Sequence, residues 1–523
     1  MTRQHDLAAQ DRTRTFLVLL CVSVPSFMIN LDSNIVAVSL PSIAHSLHAD
    51  FSGIEWVVSA YTLTFASLVM PSGALADRYG RKRLLLIGLV VFTLASLVCG
   101  AAQNVAVLNG ARAVQGIGAA MQLSAALATL SHTFRGPERA RAFAFWGSVI
   151  GIAVSLGPVA GGFITQAFGW QWAFYVNVPV GAIMIALTVY AVDESRDPHA
   201  TRVDILGFLS FSAFLSFTTM ALISGNRDGW RNPVILGEFA AAVALFVTFV
   251  IVEKRQVRPM LDLRFFREPT YIGANIAGVT YAAALLTMLT FLPEFLQGGL
   301  GHGPREAGLL MLPMAIPLFI VPRVVASYLT HRVSGRVLLT TGLLLIAVGL
   351  AWMALRIPRL DYLSLLGGML VAGCGAGILN GEIAKVSMTV IPSERAGMAS
   401  GVSGTARFSG IVVGFAALGA VLYARVAASV SDALPAMPPG DRAHLIRSVA
   451  AGDLTGSPGA DGGTSFHLLA VQSFADGYQA LMFSAAALAC AAAILTWLLV
   501  RAADTQPLSR FNRDAVSLVA PVE

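Results

Sequence analysis

The sequence predicts an all-α polytopic membrane protein with fourteen transmembrane helices, and three observations carry that expectation. Hydrophobic residues fill 56% of the 523 positions and charged residues only 12%, about half the share of an ordinary soluble domain. The apolar residues come in runs long enough to cross a bilayer, which takes ~20 residues as a helix. Of the 35 Lys and Arg residues, 23 fall in alternate connections on one side of such an arrangement, 8 on the other side, and Arg112, Arg323, Lys385 and Arg407 within spans. Lys and Arg collect on the cytoplasmic side, so both termini are expected there, which requires an even number of spans.

Each run is bounded by a charge cluster or by a Gly, Pro or Asp turn. Span 1 covers 16–40; it is too long for a cleaved signal peptide and contains Pro25, Asn30 and Asp32. Spans 2 to 6 follow at 53–76, 83–102, 105–132, 141–166 and 170–192. Spans 7 (204–224) and 8 (232–252) are set off by the charged connections Asp193 to Asp204 and Glu253 to Glu268, and read as an insertion. Spans 9 to 14 follow at 270–296, 306–330, 336–355, 362–391, 397–425 and 476–500. The many Gly and Pro residues lie inside apolar runs, as membrane helices permit. The expected organisation is a six-helix bundle over 1–195, two linker helices over 196–258, a second six-helix bundle over 259–505 and a cytoplasmic tail over 506–523. Between spans 13 and 14, residues 426–475 are polar and rich in Gly, Pro, Asp and Ser, and read as a partly disordered external loop.

Composition also excludes several functions. A net charge of +6 without a dense, aromatic-interleaved Lys/Arg cluster argues against nucleic acid as a partner. The four cysteines lie in apolar runs with no C-x-x-C or Cys/His spacing, so free thiols and no metal centre are expected. The nine histidines are scattered with no H-x-x-x-H pair, and no P-loop string is present. An enzyme and an ATP-driven pump therefore both lack support.

A short echo links the halves: Leu75 to Lys82 after span 2 and Leu329 to Arg336 after span 10. Paired repeats are the architecture of many secondary transporters. The first copy, Gly73-Ala-Leu-Ala-Asp77-Arg78-Tyr-Gly80-Arg81-Lys82-Arg83, resembles the loop signature of the major facilitator superfamily. The resemblance implies a major facilitator fold of two six-helix bundles, here with two inserted central helices. It also implies that Gly73, Asp77, Arg78, Gly80 and Arg81 form a conformational latch, the charged residues contacting a neighbouring helix end. In the second copy His331 replaces the acid, so a latch there is not expected.

Span 5 holds Gly147, Gly151, Gly157, Pro158, Gly161 and Gly162, small faces at four-residue spacing that suit close helix contact. The string is similar to the antiporter signature of drug-exporting facilitators, which implies export. Leu31 to Pro41, Arg112 to Gly116 and Ala396 to Arg407 resemble the fourteen-span drug:proton antiporter branch, although Ser33 stands where that branch usually has Thr.

Asp32 lies about 12 Å before the outer end of span 1 and Arg112 about 10 Å after the outer end of span 4, at one level by helix rise. Intramembrane ionisable groups are costly and usually functional. Asp32 is therefore expected to couple protons with Arg112 as its partner, against the competing reading of a purely structural salt bridge. Glu382 and Lys385, three apart on span 12, together with Arg407 and Arg323, read either as a cluster at one inner level that binds an anionic group or gates the inner side, or as a structural arrangement in which Glu382 neutralises Lys385 or Arg407. Glu294, within a turn of the outer end of span 9, reads as a solvated rim residue, with a second protonation or cation-attracting site as the alternative. Glu238 in span 8 reads as facing an interfacial cavity or headgroups.

The resemblance implies a proton-coupled exporter of amphipathic or cationic small molecules, working by alternating access in the cell (inner) membrane. Export of a specific endogenous metabolite, lipid or self-made antibiotic is the alternative. No cofactor is expected, the proton gradient being the energy source. The expected partners are a small-molecule substrate, protons and the lipid bilayer, with an envelope adaptor protein as a further candidate, and the chain is expected to act as a monomer.

Overall fold

A computed structural model describes residues 2–134, 136–196, 204–256, 263–330, 332–391, 396–452, 454 and 463–505. Fourteen of its helices are long and apolar enough to cross a bilayer. In a hydrocarbon medium a chain must satisfy its backbone groups internally, which leaves the helix as the way for an apolar run to cross singly.

Spans 1 to 8 run Thr13–Leu47, Phe51–Tyr79, Arg81–Gly100, Val105–Thr133, Phe145–Phe168, Trp172–Ala191, Ile205–Gly225 and Pro233–Arg255. Spans 9 to 14 run Pro269–Gly298, Pro304–Leu329, Gly335–Arg359, Tyr362–Met388, Val402–Ala433 and Phe466–Leu499. Five starts are fixed by short polar side chains: Asp50, Asn104, Asp204, Asn232 and Asp361 accept from the backbone of the first turns of spans 2, 4, 7, 8 and 12. Such caps satisfy amide groups that a helix start leaves open.

The stretch 426–475 differs from the polar loop expected of it. The helix of span 13 continues to Ala433, a separate helix covers Pro439–Ala450, and the helix of span 14 begins at Gly463. The helix Pro439–Ala450 buries Leu445, Ile446 and Val449 on one side, and its polar opposite side is what gave the stretch the composition of a loop. Residues 453 and 455–462 lie outside the described residues, as do the expected division at 258/259, the tail 506–523 and His331.

The chain divides into two compact units: Met1–Met260 with Gly301–Leu310, and Leu261–Leu300 with Met311–Glu523. In the first, span 1 packs on span 5, spans 2 and 3 on span 4, and span 3 on span 6. The inserted spans 7 and 8 pack on each other, with span 7 also against span 2. In the second, span 9 packs on span 13, spans 10 and 11 on span 12, and span 11 on span 14. The same pairings recur, so the echo in the loops is matched by an echo in packing. Two matching instances are Gly88 against Gly118 and Gly349 against Gly368, where an added Cβ would lie 2.9 Å and 2.6 Å from the facing carbonyl oxygen.

A core of the first unit gathers around the C-terminal half of span 1, where Ile35, Leu40, Ile54, Leu108, Trp170 and Phe174 are buried. In the second unit Phe291, Phe295, Phe415, Phe474 and Tyr478 form a continuous ring cluster joining spans 9, 13 and 14. Large apolar side chains such as Ile183, Tyr190, Leu363 and Leu498 are exposed on the helix surfaces, where lipid is their natural partner. Span 9 contains one wider π-type turn at Ala282–Leu286.

Candidate functional site

Span 1 is unusually polar around Asp32. Asn30, Ser33 and Asn34 turn back and donate to carbonyls four residues earlier, at 2.8, 3.2 and 2.7 Å. Asp32 instead reaches other spans and is fully buried. Its Oδ2 accepts from Arg112 Nη1 at 2.7 Å, and its Oδ1 accepts from Gln115 Nε2 at 2.9 Å and Asn177 Nδ2 at 2.8 Å.

Arg112 is held as completely. Its Nη1 also donates to Gln115 Oε1 at 2.6 Å and its Nε to the Val57 carbonyl at 3.0 Å. The guanidinium lies 4.1 Å from the centre of the Tyr61 ring, a contact that favours a cation over an aromatic face. Gln115 Nε2 donates in turn to Ser96 Oγ at 2.8 Å. One carboxylate is therefore wired to spans 1, 2, 3, 4 and 6. Gln115 had a sequence signal, being three residues after Arg112 on one helical face. Asn177 and Ser96 had none beyond being polar residues in apolar runs.

The loop after span 2 differs in detail from the expected latch. Asp77 pairs with Arg81 of its own loop, at 2.8 Å to Nη2 and 3.1 Å to Nε. Arg78 is exposed over the ring of Tyr79, and Gly73 has open space where a side chain would go. Contact with a neighbouring helix end comes from Glu194, just past span 6. Its carboxylate accepts from the backbone of Lys82 and Arg83 at 3.2 Å each and lies 3.5 Å from Arg83 Nε. A carboxylate there also meets the positive end of the span 3 dipole. Gly80, at φ 117°, makes room: an added Cβ would lie 2.5 Å from Glu194 Oε1.

In span 5, Gly147 has open space around it and Gly151 is half-buried. The Gly-Pro-x-x-Gly-Gly end makes the close contacts. Gly157 abuts the side chain of Asn34, and Gly161 abuts the backbone of Ile35, with an added Cβ 2.8 Å from its Cα. Gly162 faces the backbone of Pro304, and the carbonyl of Pro158 faces Gly308. The glycines thus seat span 5 on span 1, on the turn after Asp32.

Of the expected inner cluster, the structure brings Glu382 and Lys385 together. Glu382 accepts from Thr330 Oγ1 at 2.9 Å and lies 3.5 Å from Lys385 Nζ. Arg407 stands over the Tyr281 ring at 5.5 Å, and Arg323 donates to its own Phe319 carbonyl at 2.7 Å. Equal depth does not make helices present the same face, so Arg407 and Arg323 meet these other partners. Glu294 is a second correction: it is not a solvated rim residue but 3% exposed, beside the aromatic cluster. Glu238 is likewise buried within the first unit. Among the described residues no three His, Cys, Asp or Glu side chains converge as metal ligands would.

Comparison with known proteins fits this arrangement. The profile of the Major Facilitator Superfamily matches residues 22–415. The chain is 37% identical over 444 residues to Multidrug resistance protein Stp of Mycobacterium tuberculosis, covering 84% of this chain and 82% of that one. It is 35% identical over 397 residues to the Methylenomycin A resistance protein of Streptomyces coelicolor, covering 76% and 83%. It is 32% identical over 409 residues to Cephamycin export protein CmcT of Amycolatopsis lactamdurans, covering 77% and 84%. Among solved structures, a bacterial homolog of the human lysosomal transporter Spinster aligns with a TM-score of 0.63 at 14% identity, covering 94% of this chain and 98% of that one. That likeness is one of fold.

Proposed function

Because the chain belongs to the Major Facilitator Superfamily and its fourteen spans fit the fourteen-span branch, we propose that this membrane transporter is a proton-coupled exporter of amphipathic or cationic small molecules working by alternating access. The observation that carries the reading is the buried Asp32 bound at once to Arg112, Gln115 and Asn177. A proton on Asp32 removes the negative charge that holds Arg112. Arg112 keeps the Val57 carbonyl, the Gln115 amide and the Tyr61 face, so it need not leave. What loosens is the tie between span 1 and spans 4 and 6. Binding or losing one proton then changes how these helices hold one another, which is the property a coupling site needs.

The glycine contacts of span 5 favour export, since they join the antiporter-like segment to Asn34 and Ile35 on the same helix as Asp32. In this reading the termini are cytoplasmic, the proton gradient is the energy source, and no cofactor is used. The monomer suffices, and an envelope adaptor protein is a candidate partner. A second reading is export of one specific antibiotic or metabolite, favoured by relatives named for methylenomycin A resistance and cephamycin export.

The test is ethidium transport by the purified protein in proteoliposomes with an imposed proton gradient. Gradient-driven ethidium movement that disappears in Asp32→Asn supports the reading. Full gradient-driven transport by correctly folded Asp32→Asn would overturn it. Movement of methylenomycin-like or β-lactam compounds without ethidium would select the second reading.

A further inference from the structure

We propose that Glu294 is a second proton-binding group of this transporter, seated in the second unit and separate from Asp32. The inference rests on the proton-coupled reading above. Glu294 lies one turn before the end of span 9 and is 3% exposed. Its surroundings are aromatic: Phe295 stacks with Phe474 at 6.3 Å, and Tyr478 lies 5.2 Å from Phe295 and 4.7 Å from Phe474. Gly452, which follows the helix Pro439–Ala450, closes over the acid; an added Cβ there would be 4.0 Å from Glu294 Cγ. The same carbonyl segment packs on Gly298, so the stretch that resembled a loop in the sequence is the cover of this site.

An ionised carboxylate in an apolar setting is strongly disfavoured unless it is paired. Among the described residues no Lys, Arg or His lies within ion-pair distance of Glu294. The charged groups on the elements around it are engaged elsewhere. On span 14, Asp476 accepts from Ser429 and faces Arg425 of span 13, and His467 meets the Leu454 carbonyl. On the covering helix, Arg442 donates to the carbonyls of Pro435 and Met437, and Arg447 to that of Ala443; Asp441 and His444 complete its titratable set.

The polar side chain beside Glu294 is Tyr478, whose buried hydroxyl has no hydrogen-bond partner among the described residues. A phenol suits reversible protonation of a neighbouring acid: it donates to the carboxylate and accepts from the carboxylic acid. Phe295, Phe474 and Tyr478 are fully buried and in ring contact, which leaves a proton, not a drug or a hydrated metal ion, as the cation that fits.

The experiment is infrared difference spectroscopy of the full-length protein in lipid, taken between acidic and alkaline buffer. The expected result is a protonated-carboxyl band that is lost in Glu294→Gln and retained in Asp32→Asn. Tyr478→Phe should shift that band without removing it, which serves if Glu294→Gln does not fold. A titrating band indifferent to both Glu294→Gln and Tyr478→Phe, or no carboxyl band that depends on Glu294, would overturn the assignment. No transport is measured, so failure here is distinct from ethidium movement that ignores the proton gradient, which would instead sink the coupling itself.

Discussion

Gly161 of span 5 rests directly on the backbone of Ile35 in span 1, so that an added Cβ would lie 2.8 Å from Ile35 Cα and 3.0 Å from its carbonyl oxygen. Ile35 is one turn beyond Asp32, which makes this contact a mechanical link between the antiporter-like segment and the buried acid. Replacing Gly161 with Leu should cost about 1–3 kcal/mol, the usual penalty for overpacking, and should reduce ethidium efflux strongly. Gly147→Ala, where the space is open, should stay within about 0.5 kcal/mol and keep full efflux. Thermal melting in detergent and efflux assays check both, and equal effects at the two positions would break the argument.

The Asp32–Arg112 pair should behave as a unit. Arg112→Gln leaves a buried carboxylate without its cation and should cost about 3–5 kcal/mol. Asp32→Asn combined with Arg112→Gln should cost less than the two single changes added together, because the second removes the charge that the first strands. Denaturant or thermal unfolding of the four proteins measures the coupling. Strict additivity would mean that the two residues do not act through each other.

Asn177 was invisible in the sequence, yet it donates directly to Asp32. Asn177→Ala should cost about 1.5–3 kcal/mol, the range for a hydrogen bond to a charged group, and should slow proton-driven ethidium transport. Ser96→Ala removes the hydrogen bond from Gln115 and should cost about 1 kcal/mol. A larger effect at Ser96 than at Asn177 in paired melting curves would reverse this order.

Glu194 holds the start of span 3. Glu194→Ala should cost about 1 kcal/mol, as the loss of a helix cap does; little of that comes from the exposed Arg83 pair, which added salt screens. Gly80→Ala forces a side chain into φ 117° against the Glu194 carboxylate and should cost about 1–3 kcal/mol. Arg78→Ala, at an exposed residue stacked on Tyr79, should leave the melting temperature unchanged.

Span number and order were readable because a bilayer dictates the length of an apolar run, and Lys and Arg mark where each run stops. Asp32 and Arg112 stood out because a charge inside such a run is rare. Glu294 was misread because its burial comes from Gly452, Phe474 and Tyr478, more than 150 residues further along the chain. The helix Pro439–Ala450 was missed because its polar face set the composition of the stretch. Glu382 and Lys385 meet because they share one helical face, whereas Arg323 and Arg407 show a different limit: depth follows from counting residues, but the facing direction depends on how each helix is rotated by its neighbours.

The wider turn at Ala282–Leu286 sets that rotation for span 9. A π-type turn takes in one residue more than an α-helical turn, so everything after it is displaced by one residue in phase, roughly 100° around the helix axis. Glu294 owes its bearing toward Tyr478 to that surplus residue. Deleting one alanine from Ala282–Ala284 would let the turn tighten and swing the carboxyl a quarter-turn or more around the helix, with the chemistry of every side chain unchanged. A single-residue deletion well away from the acid, rather than a substitution at it, is therefore a way by which this chain could gain or lose its second acid.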